Sequence, residues 1–380
     1  MRYRSYGRTG LTVSEIGLGG HQEGVETGTG VAMSARYYRS DEERARIVGR
    51  AIDAGVTYFD TTYGCELASL GRVLRLLGRR DGLFVSAMRV DFFSLLEREE
   101  VSVRAYTRRE VEGRLREFGF DAVDQFMLGA IDITDPVSTP EAVGEALDEL
   151  GRLRDEGKVR FVGFSCHLPD YAARMLMAYP SFDAVMTPYS FANRVAEGSL
   201  GEALDATGAA WTTMKNMVWE LYGLPVTALR AVAGATPFEG LDPDVPIGRL
   251  ALRYVLSNAR VATCVPAMNS PAQVDEDVGA SGAASLTDTE LAQLKAYAAA
   301  MKADAGVPLA IAGLGVDNPR VRRYALALLE RELGLGSHEI DWADDAAEGD
   351  AAETADAVLR VLSDGSCWDG LARRVSDALV

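Results

Sequence analysis

The chain has 380 residues, 48% of them hydrophobic, enough for one large core or two modest ones. Thirty-nine Lys and Arg against 56 Asp and Glu leave a net charge of −17, which repels polyphosphate backbones and anionic lipid, so nucleic acid and membrane surfaces are excluded as partners and a small-molecule ligand is expected. Cys65, Cys166, Cys264 and Cys367 show no CxxC spacing and only three histidines are present, so the composition suggests no disulfide framework and no metal cage.

In chain order, the opening MRYRSYGRTG has no apolar leader pattern, and no later run approaches the ~20 apolar residues of a membrane span, so a soluble cytoplasmic protein is expected. Residues 21–39, HQEGVETGTGVAMSARYYR, form a long Gly-rich connection that carries Tyr37 and Tyr38. A loop of this length inside a compact domain is usually functional or disordered. Short apolar runs then alternate with segments of helical period. The predicted strands are 56–60, 83–88, 122–128, 159–165, 182–187, 209–214 and 261–266. The predicted helices are 40–55, 67–78, 107–119, 139–158 and 246–258, several of them opening on Ser, Thr or Pro and closing near Gly. Such alternation predicts an α/β fold with parallel strands joined by right-handed crossovers. About eight units in roughly 250 residues favour a closed (β/α)8 TIM barrel, with its chemistry at the C-terminal strand ends. The expected organisation is a barrel over residues 1–304 with an enlarged first loop, then a helical extension over 305–380 that acts as a lid, a cap or a contact between copies.

Four stretches carry a family resemblance: YGRTGLTVSEIGLGG, AIDAGVTYFDT, LDELGRLRDEGKVRFVGFSCH and VPAMNSPAQVDEDV. Their order resembles the aldo-keto reductase superfamily over roughly residues 1–300, most specifically in LRDEGKVRFVGFS. The resemblance implies a (β/α)8 barrel that binds NADPH or NADH without a GxGxxG loop and reduces carbonyls.

It also implies a catalytic tetrad of Asp, Tyr, Lys and His, in which Tyr protonates the carbonyl oxygen and the other three tune its acidity. Asp60 matches the first member. The Tyr position falls on Cys65, with Tyr63 two residues earlier as a substitute; the Lys position falls on Met88, beside Arg89; the His position falls on Gly129. A phenol near pKa ~10 with no adjacent cation is a poor proton donor at neutral pH. Ordinary carbonyl reduction by the full tetrad is therefore disfavoured.

For the cofactor, the resemblance places Ser165 and Cys166 at the carboxamide, Tyr189 as a ring for stacking on nicotinamide, and Ser270, Gln273 and Asp277 at the adenosine end. The acidic NSPAQVDED offers no Arg to clamp a 2′-phosphate, which favours NADH over NADPH if a dinucleotide binds at all.

Each residue also has a plainer reading. Asp60 caps the next helix or pairs with a structural cation. Cys65 is a small half-buried residue. Arg89 forms a salt bridge in the rim or binds a substrate anion. His167, the imidazole nearest a strand end, either moves protons or caps the helix starting near Pro169. Lys215 contacts cofactor phosphate, serves as a displaced base, or sits in water. Three function classes follow: an NAD(P)H-linked oxidoreductase acting on a small carbonyl- or hydroxyl-bearing metabolite with replacement acids; a redox-neutral lyase, isomerase or cyclase; and a non-catalytic subunit that keeps the fold.

Overall fold

The computed structural model describes residues 1–20, 40–90, 92–97, 100–129, 131, 140–191, 193–216 and 247–292. The expectations placed on the 21–39 loop with Tyr37 and Tyr38, and on the 305–380 extension, lie outside the described residues.

Tyr3–Ser5 (β1) and Thr12–Ser14 (β2) form an antiparallel hairpin. Seven parallel strands follow in sequential spatial order. They are Tyr58–Thr61 (β3), Phe84–Val90 (β4), Val123–Gly129 (β5), Val159–Ser165 (β6), Ala184–Pro188 (β7), Ala210–Met214 (β8) and Val261–Cys264 (β9). Ile16 and Leu18 fill the gap between the two edges through parallel bridges to Cys264 and Phe59. Gly17 N–H donates to the Cys264 carbonyl at 2.7 Å, Leu18 N–H to that of Tyr58 at 2.9 Å, and Asp60 N–H to that of Leu18 at 2.9 Å. This segment, which the sequence pattern does not mark as a strand, supplies the missing first position and completes the (β/α)8 arrangement.

The helices are Asp41–Asp53 (α1), Gly64–Leu77 (α2), Phe92–Glu97 (α3), Val103–Phe118 (α4), Pro140–Asp155 (α5), Pro169–Ala178 (α6), Ser199–Thr207 (α7), Ile247–Ser257 (α8) and Pro271–Val278 (α9). Local chemistry sets their ends. Ser40 Oγ accepts from Glu43 N–H while the Glu43 carboxylate accepts from Ser40 N–H, a reciprocal box that starts α1. Ser102 caps α4, which stops at Gly119 in the left-handed region. No helix among the described residues is long and apolar enough to cross a membrane.

Alternation along each strand divides the apolar residues into two layers. Phe59, Val85, Phe126, Phe164 and Trp211 face the helices in the outer core. Tyr58, Phe84, Met88, Met127 and Met186 fill the barrel interior. Burying each such side chain contributes on the order of 1.5–3 kcal/mol. The lower part of the inner face is lopsided, because at the level of Tyr58 and Phe84 the strands β7, β8 and β9 contribute the small residues Ala184, Ala210 and Ala262. Tyr6, from the hairpin turn, occupies the space they leave. It is fully buried, with its ring 4.9 Å from Phe84 and 5.7 Å from Tyr58. The next residue must be glycine: at φ 51°, a Cβ on Gly7 would lie 2.4 Å from the Ala210 nitrogen.

Candidate active site

The C-terminal ends of the strands form the mouth of the barrel. Asp60 sits at the end of β3 on the inner face and is 6% exposed. The turn from β3 into α2 is held from within. Glu66, 1% exposed, accepts Thr62 N–H at 2.8 Å and Tyr63 N–H at 3.1 Å on one carboxylate oxygen. Arg44, on α1, donates to the Glu66 carbonyl at 2.9 Å. Tyr63 is thereby the residue that caps α2, half-buried at the mouth, and Cys65 follows in the first turn. Burial and the neighbouring Glu66 push the Cys65 thiol up, so it stays protonated at neutral pH and is a poor nucleophile. Sequence reasoning missed Glu66 and Arg44, although a helix-start residue followed three places later by Glu is the capping-box spacing.

The two positions that the resemblance assigns to Lys and His prove to be in contact. Met88, 3% exposed, points into the barrel, and Ser165 Oγ approaches its sulfur at 3.6 Å. An added Cβ on Gly129 would lie 2.8 Å from both Met88 Cγ and Met88 Sδ. The thioether fills the space into which a side chain on Gly129 would project. With Met186 and the half-buried Met214, the inner surface below the mouth is apolar and polarizable around Asp60 and Ser165.

Three expected site residues are elsewhere. Arg89 is turned to the helix side, where its Nε lies 2.8 Å from Glu110 Oε2 on α4; the rim salt bridge is what forms, because the residue after an inward Met88 must face outward. Cys166 is fully buried in the outer core, and its thiol donates to the Leu168 carbonyl at 3.1 Å, which takes it away from any carboxamide in the mouth. Tyr189 is 2% exposed, between Trp211 and Tyr254 at centroid distances of 4.9 and 5.9 Å. Its hydroxyl donates to Glu197 Oε1 at 2.9 Å, so the enclosed ring has no face to offer a nicotinamide.

The others lie around the mouth. His167 is in the turn between β6 and α6 and is 8% exposed. Lys215 follows β8, half-buried, in the left-handed region at φ 55°, where side chains other than glycine's are rare. Asn216 clamps this turn by donating to the Tyr189 carbonyl and to Thr213 Oγ1, each at 3.0 Å. At the start of α9, the N-cap Ser270 Oγ accepts Gln273 N–H at 3.1 Å, and Gln273 Oε1 accepts the N–H of the preceding Asn269 at 2.6 Å. Asp277 is 4% exposed, and burial, reinforced by Glu276 and opposed by Arg249, pushes its carboxyl up to about 7. Among the described residues no group of three His, Cys, Asp or Glu is placed to hold a metal ion.

Comparisons with known proteins agree with this geometry. The model of the Aldo/keto reductase family matches residues 15–216. The uncharacterized oxidoreductase YqkF of Bacillus subtilis (strain 168) is 22% identical over 321 residues, 78% of this chain and 96% of the relative. L-galactose dehydrogenase of Arabidopsis thaliana is 24% identical over 292 residues, 73% of this chain and 87% of the relative. Among solved structures, the holo form of aldo-keto reductase AKR11C1 from Bacillus halodurans aligns with a TM-score of 0.60 at 23% identity, covering 78% of this chain and 96% of that one.

Proposed function

Because the chain belongs to the aldo/keto reductase family, we propose that it is a cytoplasmic NAD(P)H-linked oxidoreductase acting on a small carbonyl- or hydroxyl-bearing metabolite through a non-standard site. The observation that carries this reading is the retention of Asp60, 6% exposed on the inner face at the end of β3, with Ser165 on the same inner face at the end of β6. A buried carboxylate is costly to keep where it has no work.

The residues present fit one end of a dinucleotide better than the other. Ser165 would meet the carboxamide, Lys215 the phosphates, and the capped start of α9 the adenosine end. When bound, the nicotinamide would supply the hydride. The protein's share is to protonate the substrate oxygen and to exclude water. Tyr63 and His167 are the candidates for the proton, with Asp60 setting the field around them. A phenol and an imidazole each carry a proton that an oxygen developing negative charge can take in the transition state. The lack of an Arg in NSPAQVDED and the acidic Asp275 and Glu276 on α9 disfavour a 2′-phosphate and support NADH over NADPH.

The test is a calorimetric titration of the whole protein with NADH and NADPH, followed by a carbonyl panel monitored through NADH oxidation. The reading expects NADH to bind at least tenfold more tightly than NADPH and at least one carbonyl to drive oxidation. Failure of both nucleotides to bind would overturn it.

A second reading has its own support. Met88 and Gly129 leave the positions of the tetrad cation and imidazole apolar, which suits redox-neutral proton transfer by Asp60 and His167 in a lyase, isomerase or cyclase. It expects turnover without added nicotinamide, and loss of that turnover in Asp60→Ala.

A further inference from the structure

Beneath the mouth, strand register sets three polar inner residues in one row: Asp60 on β3 lies beside Ser86 on β4, and Ser86 beside Gln125 on β5. Ser86 and Gln125 are fully buried. One side of Gln125 is satisfied, because Oε1 accepts from Tyr6 OH at 2.6 Å. That hydroxyl also lies 3.2 Å from Thr212 Oγ1 and 3.4 Å from Tyr58 OH. The other side is not satisfied. Gln125 Nε2 and Ser86 Oγ have no hydrogen-bond partner among the described residues. An amide nitrogen and a hydroxyl left so in an apolar barrel would each cost about 1–3 kcal/mol. β6 presents Gly163 on the same inner face, where the lack of a side chain lets Gln125 pack closely: a Cβ there would stand 3.1 Å from Gln125 Nε2 and 2.8 Å from the Ala184 carbonyl oxygen.

We propose that Ser86 and Gln125 form an internal water site, and that the water held there links Asp60 to the hydroxyl cluster of Tyr6, Tyr58 and Thr212. A guest at this point must accept from an amide and exchange hydrogen bonds with a hydroxyl, and it must be small; water meets each condition. Burial is the main reason that the proton affinity of both Tyr6 and Tyr58 is raised, and the Asp60 carboxylate adds to it electrostatically across the same cluster. Ser86 and Gln125 are therefore positioning residues. They fix how the Asp60 carboxylate is solvated from below, on the side that bulk water does not reach. The proposal does not depend on a nicotinamide or on any substrate.

The experiment pairs a high-resolution crystal structure of the whole chain with infrared spectra, in which the Asp60 carboxylate bands are identified by subtracting the Asp60→Asn spectrum. The expected result is an ordered water within hydrogen-bond distance of Gln125 Nε2 and Ser86 Oγ. Gln125→Leu should remove that water and shift the Asp60 bands. Ser86→Ala, a smaller change, is the second variant should Gln125→Leu fail to fold, and Ser86→Thr should restore the wild-type bands. An empty, dry contact between the two side chains would overturn the site. A water whose removal leaves the Asp60 bands unmoved would overturn the link to Asp60.

Discussion

Met88 and Gly129 are one structural unit: the Met88 thioether, from β4, fills the space over the end of β5 that a Gly129 side chain would claim, with contact distances of 2.8 Å to an ideal Cβ. The side chains at the two positions that the resemblance assigns to the tetrad Lys and His are therefore coupled through packing. Neither position can be altered as though its neighbour were absent.

Gly129→Ala should destabilise the protein by about 1–3 kcal/mol, because the added carbon also meets the Arg89 carbonyl oxygen at 2.8 Å and backbone does not yield as a thioether does. Met88→Ala alone should lose about 2–5 kcal/mol by leaving a cavity. The double variant Met88→Ala/Gly129→Ala should be more stable than the sum of the two losses by at least ~1 kcal/mol. Urea unfolding of the four proteins measures this, and strict additivity would refute the shared space.

Lys215 is the one non-glycine residue with positive φ among the described residues, at φ 55°, and Asn216 braces it. Lys215→Gly should raise stability by about 1 kcal/mol through relief of left-handed strain. It should also weaken NADH binding measurably if the ammonium faces the phosphates. Thermal unfolding and calorimetry on the same sample separate the two effects; a lower melting temperature would show that the turn is not strained.

Asp277 gives the protein a pH dependence of definite sign. Its carboxyl is raised from 3.8 to about 7 in the folded state, chiefly by burial. The folded state thus holds this proton more tightly than the unfolded chain does, so its contribution to stability is complete below pH ~4 and is lost as the pH rises to about 7. Asp277→Asn, which cannot ionise, should change stability little at pH 4 and raise it at pH 8.5, by roughly 4 kcal/mol at most. Equal effects at both pH values would show that Asp277 is not the group responsible.

The sequence by itself determined the architecture. The predicted strand 159–165 is β6 residue for residue, and the six others overlap β3, β4, β5, β7, β8 and β9 with shifts of one or two residues at most of their ends. Periodicity and caps are local properties of the chain, and a repeated local pattern with short connections leaves few ways to close a sheet. Asp60 was legible for the same reason, as a carboxylate ending an apolar strand.

Only the tertiary structure decided where the side chains beyond that point face. The strand-ladder role of Ile16–Leu18, the outward turn of Arg89 and Cys166, and the enclosure of Tyr189 by Trp211 and Tyr254 depend on partners distant in sequence. A shift of one residue at a strand end reverses inside and outside, and spacing alone does not fix that register. The row of Asp60, Ser86 and Gln125 shows this most directly: three polar residues, 26 and 39 positions apart, become neighbours through parallel pairing of β3, β4 and β5.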